Sequence, residues 1–265
     1  MDLGLHDKVA LVTGAGLGMG RATALVLAEE GSRLALTSQT EARLEKTAAD
    51  AAERGAPDVA TWTADLSTPD GAARVVAAAR ERFGTVDVLV NTVGPYQRTT
   101  GILEQDDELW EEHLQGVLLS AVRMCREVVP LMQAAGGGAI VNVSAMSIRH
   151  HIPALAPYSA AKNALAHFTK NLAREFASDG IRSNAVMPGM IASEPVRERM
   201  SKAAAEKGMS EAEYLEDANR RYHGVTWADR LGEPAEIAAV IAFLVSDRAS
   251  YVNGAWVNVD GGSSF

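Results

Sequence analysis

A glycine-rich loop near the start of the chain restricts the possible folds more than any other segment. It follows residues 8–12, a short apolar run with β-branched members that predicts a buried parallel strand. Residues 21–30 come next and have the apolar periodicity of a helix. The loop between them contains Gly14, Gly16, Gly18 and Gly20. A strand, a glycine loop and a helix in this order predict the first unit of an α/β fold.

The spacing of the glycines indicates what the loop binds. The pattern G-x-G-x-x-G does not fit, because its third glycine would fall on Met19, whereas G-x-x-x-G-x-G fits Gly14, Gly18 and Gly20. Glycines let a backbone turn tightly and approach a pyrophosphate, which the amides and dipole of the following helix then hold. A flexible loop without a ligand is the alternative. We predict a cofactor loop that comprises Gly14, Gly16, Leu17, Gly18, Met19 and Gly20.

Strand and helix patterns alternate along the rest of the chain. Further strands are predicted at residues 33–37, 59–64, 86–91, 139–144, 182–186 and 255–259. Helices are predicted at residues 41–54, 69–83, 106–134, 158–176 and 231–244, with a charged, helix-prone segment at 194–226. Alternation of this kind predicts one domain with a doubly wound parallel sheet, about seven strands and helices on both faces.

Composition and charge narrow the classes of partner. The chain of 265 residues has a net charge of −9, which argues against binding nucleic acid or an anionic membrane surface. No apolar run reaches the roughly 20 residues of a membrane span. Its single cysteine, Cys125, excludes an internal disulfide, and residues 1–8 show no signal-peptide pattern. We therefore expect a cytoplasmic protein.

Tyr158 and Lys162 stand four residues apart in an apolar helical pattern. Side chains with this spacing lie on one face of a helix. A nearby ammonium favours the phenolate and lowers the pKa of a tyrosine, as a general acid/base requires. A solvent-facing pair without a function is the alternative for this spacing alone.

These segments together resemble the short-chain dehydrogenase/reductase family over essentially the whole chain. The matching stretches are residues 13–20, Asp65-Leu66, residues 91–94 (Asn-Thr-Val-Gly), residues 158–162, Pro188-Gly189 and the tail at 230–262. The resemblance implies a seven-stranded Rossmann-like sheet, a nicotinamide cofactor and an alcohol or carbonyl substrate. It also implies a homotetramer, in which the last strand and residues 261–265 form a subunit contact.

The resemblance further assigns cofactor contacts along the chain. Asp65 and Leu66 would lie at the adenine, and Asn91 and Gly94 near the adenosine ribose. Without a cofactor, Asp65 would simply cap the following helix. Further implied contacts are Pro188, Gly189 and Ile191 beside the nicotinamide, and Ser193 at its carboxamide or the phosphates.

The catalytic set departs from the family pattern at two positions. By resemblance, Tyr158 exchanges a proton with the substrate oxygen, and Lys162 holds the nicotinamide ribose. The serine expected thirteen residues before the tyrosine is replaced by Ala145. Losing such a donor typically costs about 10²–10³ in rate. We predict Ser144 as the substitute, with Ser147 as the alternative.

The second departure lies on the fourth helix, where His113 replaces an asparagine. His113 either holds a water that feeds protons to Lys162 or is satisfied by a backbone carbonyl. His150 and His151 fall on the loop before Tyr158 and are candidate substrate contacts. Both departures leave a second function open, namely a cofactor-binding sensor or inactive partner subunit without efficient catalysis.

The end of the second strand bears on the choice of cofactor. Residues 37–39 read Thr-Ser-Gln and contain no acid to select the ribose 2′-hydroxyl of NAD. No basic residue stands at Leu17 or Gln39, yet Ser38 is small and polar, and Arg43 is close in sequence. We predict NADP, with NAD as the alternative. The segment 194–226 is predicted to be a lid over the substrate. Its sequence does not favour one alcohol or carbonyl substrate over another.

Overall fold

The computed structural model describes residues 2–94, 101–149, 152–221, 227–228 and 230–262. Its centre is one seven-stranded sheet in which all neighbouring strands are parallel, with the order β3-β2-β1-β4-β5-β6-β7. The strands are β1 Val9–Thr13, β2 Arg33–Ser38, β3 Val59–Thr63, β4 Val88–Asn91, β5 Gly138–Val143, β6 Ile181–Pro188 and β7 Trp256–Val259. The predicted fold class and the number of strands are thereby confirmed.

Helices cover both faces of this sheet. The helices are α1 Gly18–Glu29, α2 Glu41–Glu53, α3 Pro69–Phe83, α4 Asp107–His113, α5 Ser120–Ala135, α6 Ala156–Glu175, α7 Glu194–Glu206, α8 Glu211–Arg221 and α9 Pro234–Val245. One face packs against α1, α2 and α9, and the other against α3, α5 and α6. Central strands are buried on both sides, so their residues alternate between the two cores: Val12 belongs to the first and Leu11 to the second.

The helix predicted over residues 106–134 is interrupted. A π-helical segment, Leu114–Leu119, separates α4 from α5. At its end, the hydroxyl of Ser120, the first residue of α5, donates to the carbonyl of Gly116 at 2.7 Å. Single π-helical turns occur mostly at functional sites. The interruption places His113 at the end of α4 and Gly116 beside the cavity described below.

The strands β1 to β3 are added to the sheet in one direction and β4 to β7 in the other, so the order switches between β1 and β4, which are neighbours in the sheet. The carboxyl ends of parallel strands on either side of such a point form a crevice in which ligands bind. Here the glycine loop follows β1, residues 92–94 follow β4, and residues 144–147 follow β5. In the part of the chain that the structure describes, no helix is long and apolar enough to cross a membrane.

Candidate active site

The crevice at the carboxyl ends of the strands holds a cavity of about 940 Å³. It runs from the glycine loop to the start of α6, and its walls come from elements far apart in sequence. The predicted residues that line it are Gly14, Gly16, Leu17, Gly18, Met19, Gly20, Ser38, Asp65, Leu66, Gly94, Ser144, Tyr158, Lys162, Pro188, Gly189, Ile191 and Ser193. The fold therefore brings together residues that the sequence places up to 179 positions apart, from Gly14 to Ser193.

The glycine loop packs closely on itself and on β2 only because it lacks side chains. Gly18 has a φ of +58°, a conformation that favours glycine. A Cβ at Gly20 would lie 2.3 Å from the carbonyl oxygen of Gly14, and one at Gly16 would lie 2.9 Å from Oγ of Ser38. Because α1 begins at Gly18, its first amides face the cavity and suit the pyrophosphate of a dinucleotide.

The opposite wall at this end comes from β2, α2 and β3. Ser38 and Arg43 both line the cavity, and Arg43 has no ion pair with any residue in the described ranges. Asp65 accepts hydrogen bonds from the hydroxyl and the amide of Ser67 at 2.7 and 2.9 Å. These bonds, the hydroxyl first, lower the pKa of Asp65. Asp65 therefore orders the turn before α3 and also faces the cavity.

Lys162 is the buried cation of the site, with 3% of its surface exposed. Its Nζ donates to the carbonyl of Val143 at the end of β5, at 2.7 Å, and lies 5.7 Å from the centre of the Tyr158 ring. Burial lowers the pKa of Lys162 from 10.5 to about 7. Gly94 leaves the space that the lysine needs, since a Cβ there would lie 3.2 Å from Nζ.

Ala145, which replaces the expected catalytic serine, and the nearby Ser144 and Ser147 differ in what their side chains contact. Ala145 lines the cavity and offers no hydroxyl. The hydroxyl of Ser144 donates to the backbone carbonyl of Lys162 at 2.9 Å, so its proton is directed at α6. The hydroxyl of Ser147 also lines the cavity and accepts a hydrogen bond from Ser159 at 3.0 Å. Because this contact joins two hydroxyls, either of them can donate, whereas the Ser144 hydroxyl has a carbonyl partner to which it can only donate.

His113 and Asn91 lie behind the cavity wall and are not among the described residues that line it. Nδ1 of His113 is 2.8 Å from the carbonyl oxygen of Leu109, as in the backbone-satisfied alternative. Its ring stands edge-on to Tyr158 with a centroid distance of 6.1 Å, and its buried Nε2 has no partner among the described residues. The amide of Asn91 donates to Asn142 at 2.8 Å, a contact between β4 and β5. His113 thus supports the Tyr158 ring, and Asn91 supports the sheet.

Helix α7 contributes residues that sequence reasoning missed. Pro195, Val196 and Arg199 of α7 line the cavity, and their spacing on one helical face was the available signal. Tyr214 of α8 contacts Lys207 at the end of α7, with Nζ of Lys207 5.3 Å from the tyrosine ring centre. His150 and His151, predicted as candidate substrate contacts, lie outside the described residues.

The burial of Lys162 predicts a dependence of stability on pH. An unfolded lysine keeps its proton up to a pKa of about 10.4, whereas the native pKa is about 7. Between these values the unfolded state binds more protons, so the free energy of unfolding rises with pH. We expect this contribution to increase by about 2 kcal/mol from pH 7 to pH 9. The free energy of unfolding of the unmodified protein and of Lys162→Met is measured with denaturant at both pH values. The difference between the two proteins should increase by this amount from pH 7 to pH 9.

Other titrating groups affect both proteins alike, so they cancel in that difference. A difference that stays constant between pH 7 and pH 9 contradicts a lowered pKa for Lys162. Lys46→Met serves as the control, because Lys46 is exposed on α2 and its replacement should leave the pH profile unchanged.

Comparison with known proteins agrees with this geometry. A family model described as enoyl-(acyl carrier protein) reductase matches residues 14–264. Levodione reductase of Leifsonia aquatica is 37% identical, over 97% of this chain and 94% of that protein. The pig protein named dehydrogenase/reductase SDR family member 4 is 32% identical, over 98% of this chain and 88% of that protein.

A solved structure extends the similarity to three dimensions. L-sorbose reductase from Gluconobacter frateurii, crystallised with NADPH and L-sorbose, superposes with a TM-score of 0.94 at 33% identity, over 99% of this chain and 98% of that one. The match covers the sheet, the glycine loop and the helix that carries Tyr158 and Lys162. On these grounds the chain belongs to the short-chain dehydrogenase/reductase family, whose enzymes interconvert alcohols and carbonyl compounds with NAD or NADP.

Proposed function

We propose that Tyr158 is the general acid/base of this oxidoreductase and that Lys162 and the glycine loop hold its cofactor. The observation that carries the proposal is the buried Lys162 ammonium beside the Tyr158 ring, in the same cavity as the first amides of α1. A buried lysine with so few partners costs stability, which is typical of a group kept for function.

The residues of the chain divide the work at the reacting centre. The cofactor, when bound, supplies or accepts a hydride. Tyr158 donates a proton to the carbonyl oxygen in reduction and removes it from the alcohol in oxidation. Lys162 would hold the nicotinamide ribose and, when charged, favours loss of the Tyr158 proton. Pro188, Gly189 and Ile191, which line the cavity, would lie beside the nicotinamide, and Ser193 would give it a polar contact.

We assign the donor to the substrate oxygen to Ser147. In support, Ser147 faces the cavity, and Ser159 orients its hydroxyl from the position next to Tyr158. Ser144, whose proton is directed to the Lys162 carbonyl, orders the junction of β5 and α6 instead. The second candidate function, a cofactor-binding protein without turnover, is favoured by Ala145 and His113, the two departures from the family pattern.

NADP is the proposed cofactor. Ser38 and Arg43 stand where the cavity wall comes from β2 and α2, and residues 37–39 at the end of β2 contain no carboxylate to repel a 2′-phosphate. The L-sorbose reductase of similar structure was crystallised with NADPH. Arg43, free of ion pairs with the described residues, supplies the matching positive charge.

The substrate is proposed to be a small alcohol or carbonyl compound that enters under α7. We also propose a homotetramer and a single domain in which residues 194–226 act as the substrate lid. Tyr251, fully exposed beside β7, supports a subunit contact on that edge of the sheet.

The one cysteine, Cys125, is buried, and burial raises its pKa to about 12. A thiol of this kind does not serve as a nucleophile and is compatible with the proposed location in the reducing cytoplasm.

Replacing Tyr158 with phenylalanine tests the function itself. The variant keeps the ring that packs on His113 but loses the proton, so we expect turnover to fall by at least about 10³-fold with cofactor affinity nearly unchanged. The measurement is nicotinamide absorbance with a panel of ketones, sugars and alcohols, together with calorimetric titration of the cofactor. Tyr251→Phe is the matched control. Equal turnover in Tyr158→Phe and the control overturns the role of Tyr158, and cofactor binding without turnover in the unmodified protein supports the second candidate.

Three variants separate the two serines. Ser147→Ala should lower kcat about 10²-fold, because the developing charge on the substrate oxygen loses its donor. Ser144→Ala should change kcat only a few-fold, since its hydroxyl bonds to the backbone. The kcat of Ala145→Ser should be at least as high as that of the unmodified protein. The opposite order, with Ser144→Ala inactive and Ser147→Ala normal, returns the role to Ser144.

Arg43→Ala tests the preference for NADP. Loss of one charge-assisted contact to the 2′-phosphate should weaken NADPH binding about tenfold and leave NADH binding unchanged. Lys46→Ala, one turn further along α2 and exposed, controls for net charge. Titration of both cofactors against the three proteins gives the result. Parallel losses for NADPH and NADH in Arg43→Ala, or a preference of the unmodified protein for NADH, contradict the assignment.

A further inference from the structure

The first amide of α1 is satisfied by a residue from the other end of the fold. The N-cap of α1 is Leu17, whose side chain offers no oxygen, and the first turn contains no acid. A carboxylate nevertheless lies there, because Oε2 of Glu194 accepts a hydrogen bond from the amide of Gly18 at 2.8 Å. The two residues are 176 positions apart. The lid thus supplies the anion that this helix lacks locally.

This contact joins the start of α7 to the glycine loop, beside the cavity. Glu194 is the first residue of α7, and its neighbours Ser193 and Pro195 line the cavity together with Gly18. A Cβ at Gly18 would lie 3.5 Å from the Cβ of Ser193, so the two segments approach closely at this point. A change in the position of α7 must therefore break or remake the bond between Glu194 and Gly18.

The same amides are the ones that suit a pyrophosphate. A helix N-terminus carries about half a positive charge, which attracts any anion within the first turn. Two anions at one N-terminus share this attraction and repel each other. The carboxylate of Glu194 and the phosphates of a dinucleotide are such a pair.

We propose that Glu194 sets the affinity of the enzyme for its cofactor. Its carboxylate competes with the pyrophosphate for the first turn of α1, and the negative charge weakens cofactor binding. Because Glu194 begins α7, the competition also couples release of the cofactor to the position of the lid. The inference rests on the proposed cofactor site and adds a residue that opposes binding there.

The test compares two glutamines on α7. Glu194→Gln keeps an oxygen that accepts from Gly18 and removes only the charge, whereas Glu198→Gln removes the same charge from an exposed position one turn away. Calorimetric titration with NADP⁺ and with NAD⁺, at low and high ionic strength, gives the dissociation constants. We expect Glu194→Gln to bind three- to tenfold more tightly, roughly the range of a charge at a helix end. Salt should shrink the gain, because it screens repulsion between charges near the surface.

The outcomes separate this inference from the proposed function. Equal or weaker binding by Glu194→Gln, or an equal gain in Glu198→Gln, overturns the role of Glu194 while leaving the cofactor site intact. A lower melting temperature of Glu194→Gln without any change in affinity has the same meaning, since it reduces Glu194 to a helix cap. Failure of the unmodified protein to bind either dinucleotide overturns both proposals.

Discussion

The geometry of the site depends on one buried contact, between the Lys162 ammonium and the carbonyl of Val143. A charged amine in the interior is stable only where a fixed acceptor meets it, and the last carbonyl of β5 is that acceptor. The hydroxyl of Ser144 then bonds the backbone of Lys162, and Asn142 bonds Thr169 further along α6. Three consecutive residues of the chain, Asn142 to Ser144, thereby fix where α6 lies on the sheet and where Tyr158 stands.

The same contact explains why β5 must be a central strand of a parallel sheet. The end of β5 can meet α6 because β5 lies between β4 and β6, with its carboxyl end at the crevice. The glycine loop reaches this crevice from β1, and residues 92–94 reach it from β4. An edge strand could present the lysine acceptor but could not bring both loops beside it. The cofactor loop and the acid/base pair therefore depend on one strand order.

Much of this arrangement was predictable because its signals are local. Buried parallel strands read as apolar runs, and a loop that must approach a phosphate reads as glycines. The interruption of the fourth helix was not predicted, since Gly116 is the one local signal in residues 114–119 and a single glycine is tolerated inside a helix; the segment packs on α6. The sequence predicts Asn91 and Ser144 as site residues from their positions at strand ends, but the direction of each side chain depends on partners in other elements. Asn91 turns to Asn142 and Ser144 to the backbone of Lys162.

The contact between Glu194 and Gly18 shows why affinity is harder to predict than the fold. Fold signals repeat along the chain, whereas this contact joins two residues 176 positions apart and has no sequence pattern. A nicotinamide cofactor must bind and leave in every turnover, and product release limits many enzymes of this kind. A loop built only from amides and a helix dipole would hold pyrophosphate ever more tightly as donors are added. In our proposal the Glu194 carboxylate at the same helix end limits that affinity, so the glycine loop stays complete while the cofactor remains exchangeable.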